Sequence, residues 1–250
     1  KQEKAEKNIM AGLGTIINMA GILAGGLGGL LFGNRLEKRY QDTLLSANGI
    51  CVLFLGISGC LQEMFTIADG KISSGKTMMM IGSFAIGGLI GEWMNIEMRM
   101  EQFGEWLKKK TKNDQDTGFV DGFVTATLTI CIGAMGVVGA IQDGILGDSS
   151  VLTAKTVLDL IIIFVMTTAM GKGCIFSAVP VGIFQGAITL MSRLLEPVMT
   201  EAALSNLSLT GSILIFCVGL NLIWGKKVKV ANLLPAIVIA VIWAFLPQNG

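Results

Sequence analysis

Histidine is absent from this chain of 250 residues, and charged residues are scarce. Without an imidazole there is no histidine base, no Ser-His or Cys-His dyad and no histidine-ligated metal. Charged residues make up 15% of the chain, against about 25% in soluble globular domains. The net charge of +1 gives no electrostatic footprint for nucleic acid. The five cysteines lie inside apolar runs and lack the spacing of zinc ligands or of a disulfide framework, and no motif implies a cofactor or a metal.

Apolar residues, by contrast, are abundant. They make up 52% of the chain, and the mean hydropathy of the whole chain is +0.67. About 20 apolar residues cross the ~30 Å hydrocarbon layer as a helix. The sequence therefore predicts an all-α, polytopic membrane bundle that forms a single membrane domain over residues 10–247, after a polar tail or tag at 1–9. We expect eight spans, at 12–33, 44–64, 77–94, 119–142, 151–171, 174–191, 207–225 and 231–246.

A polar segment and the distribution of Lys and Arg indicate how the chain lies in the bilayer. Residues 94–112 mix Met, Phe and Trp with charges, as an interfacial amphipathic helix does. Twelve of the 19 Lys and Arg residues fall on one side of the predicted topology. The positive-inside rule places that side, with the amphipathic helix, in the cytoplasm and both termini outside.

Small residues recur every fourth position in the first and third spans. A shift of 62 residues superposes the glycines of span one on Ser83, Gly87, Gly91 and Asn95. Such a stripe lets another helix backbone approach closely, either within the chain or in a homo-oligomer. The glycines assigned to helix packing are Gly21, Gly25, Gly29, Gly33, Gly87 and Gly91.

The even-numbered spans carry a second signature. GCLQE (59–63), GAIQD (139–143) and GIFQG (182–186) each follow a cysteine that stands eight residues before the first glycine. The recurrence predicts repeated two-helix hairpins, and repeats in membrane proteins often bracket a transport path. The alternative is that small, glycine-rich helices resemble one another whatever they do.

Three glutamines in these motifs are candidate binding residues. Gln62, Gln142 and Gln185 lie within apolar helices, where polar groups are costly and need a reason. Converging carboxamides could bind a polar solute or replace part of an ion's water shell. They could instead form interhelical hydrogen bonds, worth roughly 0.6 kcal/mol each. Pro180 is expected to interrupt span six and to free a carbonyl near Gln185.

Span five carries the strongest candidate site, a pair of opposite charges inside an apolar helix. Lys155 and Asp159 are one turn apart on one face. Asp159 would lie roughly 12 Å below the end of the span, and Lys155 can keep it ionised there. The pair is either a structural lock or part of a gated ion or substrate site. Asp143, in the loop before this span, is a further candidate ligand for a solute or ion.

Three stretches of the chain resemble a known family of bacterial membrane proteins. They are GTIINMAGILAGGLGGLLFGNRLEKRYQDTLLSANG (14–49), MGVVGAIQDGILGDSSVLTAKTVLD (135–159) and VANLLPA (230–236). The family they resemble is the one catalogued as domain of unknown function 554. The resemblance implies a multi-span protein of the bacterial cytoplasmic membrane, and it supplies no substrate. A proline usual after the glycine of span four is replaced at Ala134 or Met135, so the shape of that helix does not carry over.

These observations favour a transporter or channel for a small polar or ionic solute, with its site between repeated hairpins. The alternative is a non-transporting membrane scaffold or partner subunit, because glycine stripes suit helix association equally well. An intramembrane enzyme is disfavoured by the missing histidine and the sparse polar groups, and we assign no catalytic residue.

Overall fold

The computed structural model describes residues 12–33, 35–68 and 71–246, so the predicted polar tail at 1–9 lies outside the described residues. Ten α-helices and one two-stranded hairpin make up this part of the chain. In chain order they are α1 (Leu13–Gly33), α2 (Lys38–Met64), β1 (Phe65–Ala68), β2 (Lys71–Ser74), α3 (Thr77–Met94), α4 (Ile96–Lys110), α5 (Phe119–Cys131), α6 (Ala134–Leu146), α7 (Ser150–Met170), α8 (Ala178–Leu195), α9 (Glu201–Trp224) and α10 (Pro235–Trp243). The predicted all-α class is confirmed.

Six helical segments are long and apolar enough to cross a membrane. They are α1, α2, α3, α7, α9 and the segment Lys172–Val198, which contains α8. A seventh crossing exists if α5 and α6 count as one broken span, whereas the last apolar segment, Val230–Trp243, is shorter. The structure is therefore a polytopic helical bundle, and the count of eight spans stays a prediction.

The predicted span at 119–142 is divided in the structure into two helices with a bend between them. Helices α5 and α6 meet at an angle of 65°. Gly133 lies between them with φ +150°, a conformation that residues with a Cβ rarely adopt. Helix α5 ends at Cys131, and Gly133 provides the backbone conformation of the bend before α6 begins at Ala134.

Span six was expected to be interrupted at Pro180, and it is continuous at that point. Pro180 lies in the first turn of α8, where proline is tolerated, and Lys172–Val198 runs as one helical segment. A 3-10 helix, Lys172–Ser177, leads into this turn.

Polar connections take two forms. The hairpin β1–β2 follows α2 and pairs antiparallel, with Phe65 opposite Ser74; the sequence analysis did not anticipate it. The amphipathic segment forms α4, which ends in Lys108, Lys109 and Lys110 and leaves Trp106 more than half exposed.

The described chain divides into two compact units. Unit 1 contains 12–48, 101–131 and 135–197, and unit 2 contains 49–100, 132–134 and 198–246. Because each unit draws on several separate stretches, no linear boundary divides the chain.

In unit 1 the glycines of α1 bring its backbone against that of α7. A Cβ on Gly25 would collide with the carbonyl oxygen of Leu160, and a Cβ on Gly33 would lie 2.8 Å from that of Thr168. The hydroxyl of Thr168 also donates to the Gly29 carbonyl at 3.1 Å. Contacts that advance together along both helices mean that α1 and α7 run parallel.

In unit 2 the corresponding residues of α3 meet a partner that runs the other way. Gly87 lies against Ala236, and Gly91 lies against the backbone of Asn232. The two series that a 62-residue shift superposes thus pack in parallel in one unit and antiparallel in the other. The repeated hairpins stay a prediction.

The close approach of α1 and α7 can be tested with Gly25→Ala. We expect a loss of about 1–3 kcal/mol in the free energy of unfolding, because the added methyl forces the backbones apart. The measurement is the Tm of the detergent-solubilised protein. The matched control is Gly186→Ala in α8, where an added Cβ meets nothing within 4 Å. Equal losses in the two variants would contradict the packing argument.

Candidate functional site

A buried ion pair lies at the centre of unit 1. Helical spacing places Lys155 one turn before Asp159 in α7, and their side chains form a salt bridge. The same ammonium group donates to the carbonyl oxygen of Ile130 at 2.9 Å. Ile130 is the penultimate residue of α5, whose last carbonyls have no intrahelical partner. Lys155 and Asp159 are 6% and 3% exposed. Lys155 therefore links the last turn of α5, at the helix break, to the buried carboxylate of Asp159.

Two buried carboxamides lie beside this pair. Asn18 of α1 is 0% exposed and Gln185 of α8 is 1% exposed. The Asn18 Nδ2 group donates to Gln185 Oε1 at 3.2 Å, and the Asn18 side chain also interacts with the Asp159 carboxylate. Gly136 of α6 adjoins both groups, since a Cβ there would lie 3.5 Å from Lys155 Cε and 3.8 Å from Gln185 Nε2.

A cavity of about 430 Å³ opens near the start of α1 and the end of α8. Its lining residues are Gly12, Thr15, Ile16, Gly144, Gly186, Thr189, Leu190, Ser192 and Arg193. The hydroxyls of Thr15 and Thr189 are buried and have no hydrogen-bond partner within the described residues. Arg193 is exposed.

Residues on the same faces of α1 and α8 extend from the cavity to the ion pair. Thr15 and Asn18 are three residues apart on α1, and Gln185 and Thr189 are four apart on α8, so each pair lies on one helix face. The result is a buried polar track in unit 1. We define this track as Thr15, Thr189, Asn18, Gln185, Lys155 and Asp159. Carboxamides, hydroxyls and an ion pair can bind and pass a small polar or charged solute.

Asp143 lies in α6 and not in the expected loop before α7, and it is fully buried against the start of α1. Its Oδ2 accepts the backbone N–H groups of Gly12 at 3.0 Å and Gly14 at 3.1 Å. These contacts stabilise a helix N-terminus from a neighbouring element. Its Oδ1 has no partner among the described residues.

In the loop between α6 and α7, Asp148 accepts the backbone N–H of Ser150 at 2.9 Å. This hydrogen bond lowers the pKa of the Asp148 carboxyl and orders the turn that leads into α7.

The three predicted glutamines do not gather together. Gln185 lies in the track, and Gln142 is half-buried in α6. Gln62 is exposed in α2 and belongs to unit 2. The sequence analysis missed Asn18, Thr15 and Thr189. Asn18 could have been found, because it is the one carboxamide in the otherwise apolar and small-residue helix α1.

Unit 2 has a polar cluster of its own, also missed from the sequence. Glu97 is buried and accepts the backbone N–H of Ala231 at 2.9 Å and the ammonium of Lys226 at 3.1 Å. Asn232 accepts the Glu97 backbone N–H at 2.7 Å and donates to Glu92 at 2.7 Å. These groups tie the junction of α3 and α4 to the 3-10 helix Val230–Leu233, so their role is structural.

A second ion pair of unit 2 joins Lys76 to Glu63, and Ser205 bonds to both side chains. It adjoins a cavity of about 740 Å³ that Lys76, Glu201, Ser205 and Asn206 line in part. The side chains of Lys76 and Glu63 are 28% and 18% exposed, so this pair is more open than Lys155–Asp159.

Removing the ammonium at position 155 should destabilise the protein strongly. Lys155→Met leaves Asp159 as a buried carboxylate without its cation, which costs about 3–5 kcal/mol. Adding Asp159→Asn to this variant removes the charge and should restore most of the loss. The Tm in detergent at constant salt is the readout. Lys76→Met, in the more open pair, should cost about 1 kcal/mol or less. A double variant no more stable than Lys155→Met would show that charge burial is not the cause.

Comparison with known proteins places this arrangement in a family. Residues 13–245 match the family model described as protein of unknown function DUF554. The uncharacterized membrane protein YdfK of Bacillus subtilis (strain 168) is 31% identical over 233 residues, which are 93% of this chain and 96% of that protein. The uncharacterized protein YqgA of Escherichia coli (strain K12) is 25% identical over 232 residues, 91% of this chain and 94% of that protein. No solved structure gives a significant match. With its model matched over nearly the whole chain, DUF554 is the family to which this membrane protein belongs.

Proposed function

We propose that this protein is a transporter or channel for a small polar or ionic solute, and that the solute passes along the buried polar track of unit 1. One observation carries the proposal: the six buried polar side chains of the track extend from a cavity to an ion pair at a broken helix, and they include that pair. Polar groups within membrane-spanning helices are costly, and they commonly mark solute and ion pathways.

The break between α5 and α6 supports this proposal. Irregular backbone at membrane depth is tolerated where it is buried in protein or lines a polar cavity. Discontinuous helices in transporters offer free backbone carbonyls to ions. Here the Ile130 carbonyl is held by Lys155, so a conformational change that moves α7 against α5 would release it.

The bacterial cytoplasmic membrane is the proposed location. Both relatives come from bacteria, and the excess of Lys and Arg on one side favours an orientation with the termini outside. In that orientation the 430 Å³ cavity, beside the start of α1, opens to the outside.

Uptake into proteoliposomes tests the proposal. A panel of labelled ions, amino acids and small carboxylates is offered to liposomes that contain the protein and to empty liposomes. We expect uptake of at least one class, and at least a tenfold lower rate in Asp159→Asn, because this substitution removes the charge at the end of the track. Glu92→Gln, which alters the polar cluster of unit 2, is the control and should keep the rate.

If folded, correctly inserted protein takes up no solute of the panel, the transport proposal is wrong. Two results would then support the scaffold alternative. Crosslinking would recover one partner protein at constant stoichiometry, and cysteine labelling would show that water does not reach the track.

A further inference from the structure

We infer that the solute recognised at this site is a small monovalent cation, and that the ammonium of Lys155 occupies its binding position. The inference rests on the proposed function and names its substrate class. Protonated small amines belong to the same class, because they carry one positive charge and N–H donors.

The surroundings of Lys155 Nζ are those of a bound cation. A carboxylate oxygen of Asp159 and a backbone carbonyl oxygen of Ile130 hold the group. Carbonyl and carboxylate oxygens are the ligands with which proteins replace the water shell of small monovalent cations. The ammonium is thus a cation tethered to the site by its own side chain.

The unused hydrogen-bonding capacity around the site also favours a cation. Asn18 Oδ1, beside the pair, and Asp143 Oδ1, beside the start of α1, are buried oxygens without a partner in the described chain. Both atoms can only accept hydrogen bonds or bind cations. Beside the ion pair the donors are already engaged, because Lys155 donates to two oxygens and Asn18 Nδ2 donates to Gln185. The unpartnered hydroxyls of Thr15 and Thr189 can donate as well as accept, so they do not discriminate between an anion and a cation.

The balance of buried charges in unit 1 also favours a positively charged solute. The buried charged groups among the described residues of unit 1 are Asp143, Lys155 and Asp159, with a formal net charge of −1. Arg193 stands at the exposed edge of the cavity, where solvent screens it. An added cation would neutralise the buried excess, whereas an added anion would double it.

Only one cation can be held against Asp159 at a time. Two positive charges on one buried carboxylate would leave one of them uncompensated, which is strongly unfavourable. Binding of the free cation and formation of the Lys155–Asp159 pair therefore exclude each other. A variant without the Lys155 ammonium should bind the free cation more tightly than the natural protein does.

The test measures Tm in detergent for Lys155→Met in the chlorides of Na⁺, K⁺, ammonium and methylammonium. N-methyl-D-glucamine chloride, whose cation is too bulky for the site, serves as the reference at equal ionic strength. A ligand at about 100 times its Kd raises the ratio of native to unfolded protein about 100-fold. We expect at least one small cation to raise the Tm of Lys155→Met, with at least tenfold tighter binding than to the natural protein. The double variant Lys155→Met with Asp159→Asn should lose this response.

Equal stabilisation by the bulky cation, or a response that survives in the double variant, would overturn the inference. If Lys155→Met does not fold, Lys155→Gln replaces it, because its amide can still donate to the Ile130 carbonyl. Proteoliposomes distinguish the two proposals. Uptake of an anion or a neutral solute that depends on Asp159 would overturn the cation assignment and keep the transport function. Cation binding without any flux would keep the site and overturn transport.

Discussion

The Lys155 ammonium contacts two oxygens, and the polar structure of unit 1 depends on these two contacts. One oxygen belongs to a buried carboxylate and the other to the end of a broken helix. In apolar surroundings neither could be left alone, since an unpaired charge and an unpartnered carbonyl both cost free energy. A single side chain satisfies both, so the bend between α5 and α6 and the charge in α7 are stable only together.

The close contact between the backbones of α1 and α7 brings the polar groups around Lys155 and Asp159 together. The glycines of α1 bring its backbone against α7, and the same contact places the Asn18 side chain beside Asp159. A larger residue at Gly25 would separate the helices and also withdraw Asn18. Packing and polar chemistry in this unit therefore depend on the same small residues.

The two units use buried polar groups differently. In unit 2 Glu97 binds a backbone N–H and a lysine, and Asn232 both donates and accepts, so this cluster closes a junction between elements. In unit 1 Asn18, Asp143, Thr15 and Thr189 each keep an atom without a partner beside a cavity or an ion pair. A buried atom without a partner costs free energy, and under the proposed transport function the solute would provide these atoms with a partner.

The sequence alone determined the membrane class, most helix positions and the Lys155–Asp159 pair, because hydropathy and the i, i+4 spacing are local properties. It did not determine the meeting of Asn18 with Gln185, which are 167 residues apart, or the separation of Gln62 from the track. The bend at Gly133 also escaped it, since a glycine is compatible with a straight helix as well as a broken one. Only tertiary packing decides which helix faces meet, because each polar side chain takes its partner from another part of the chain.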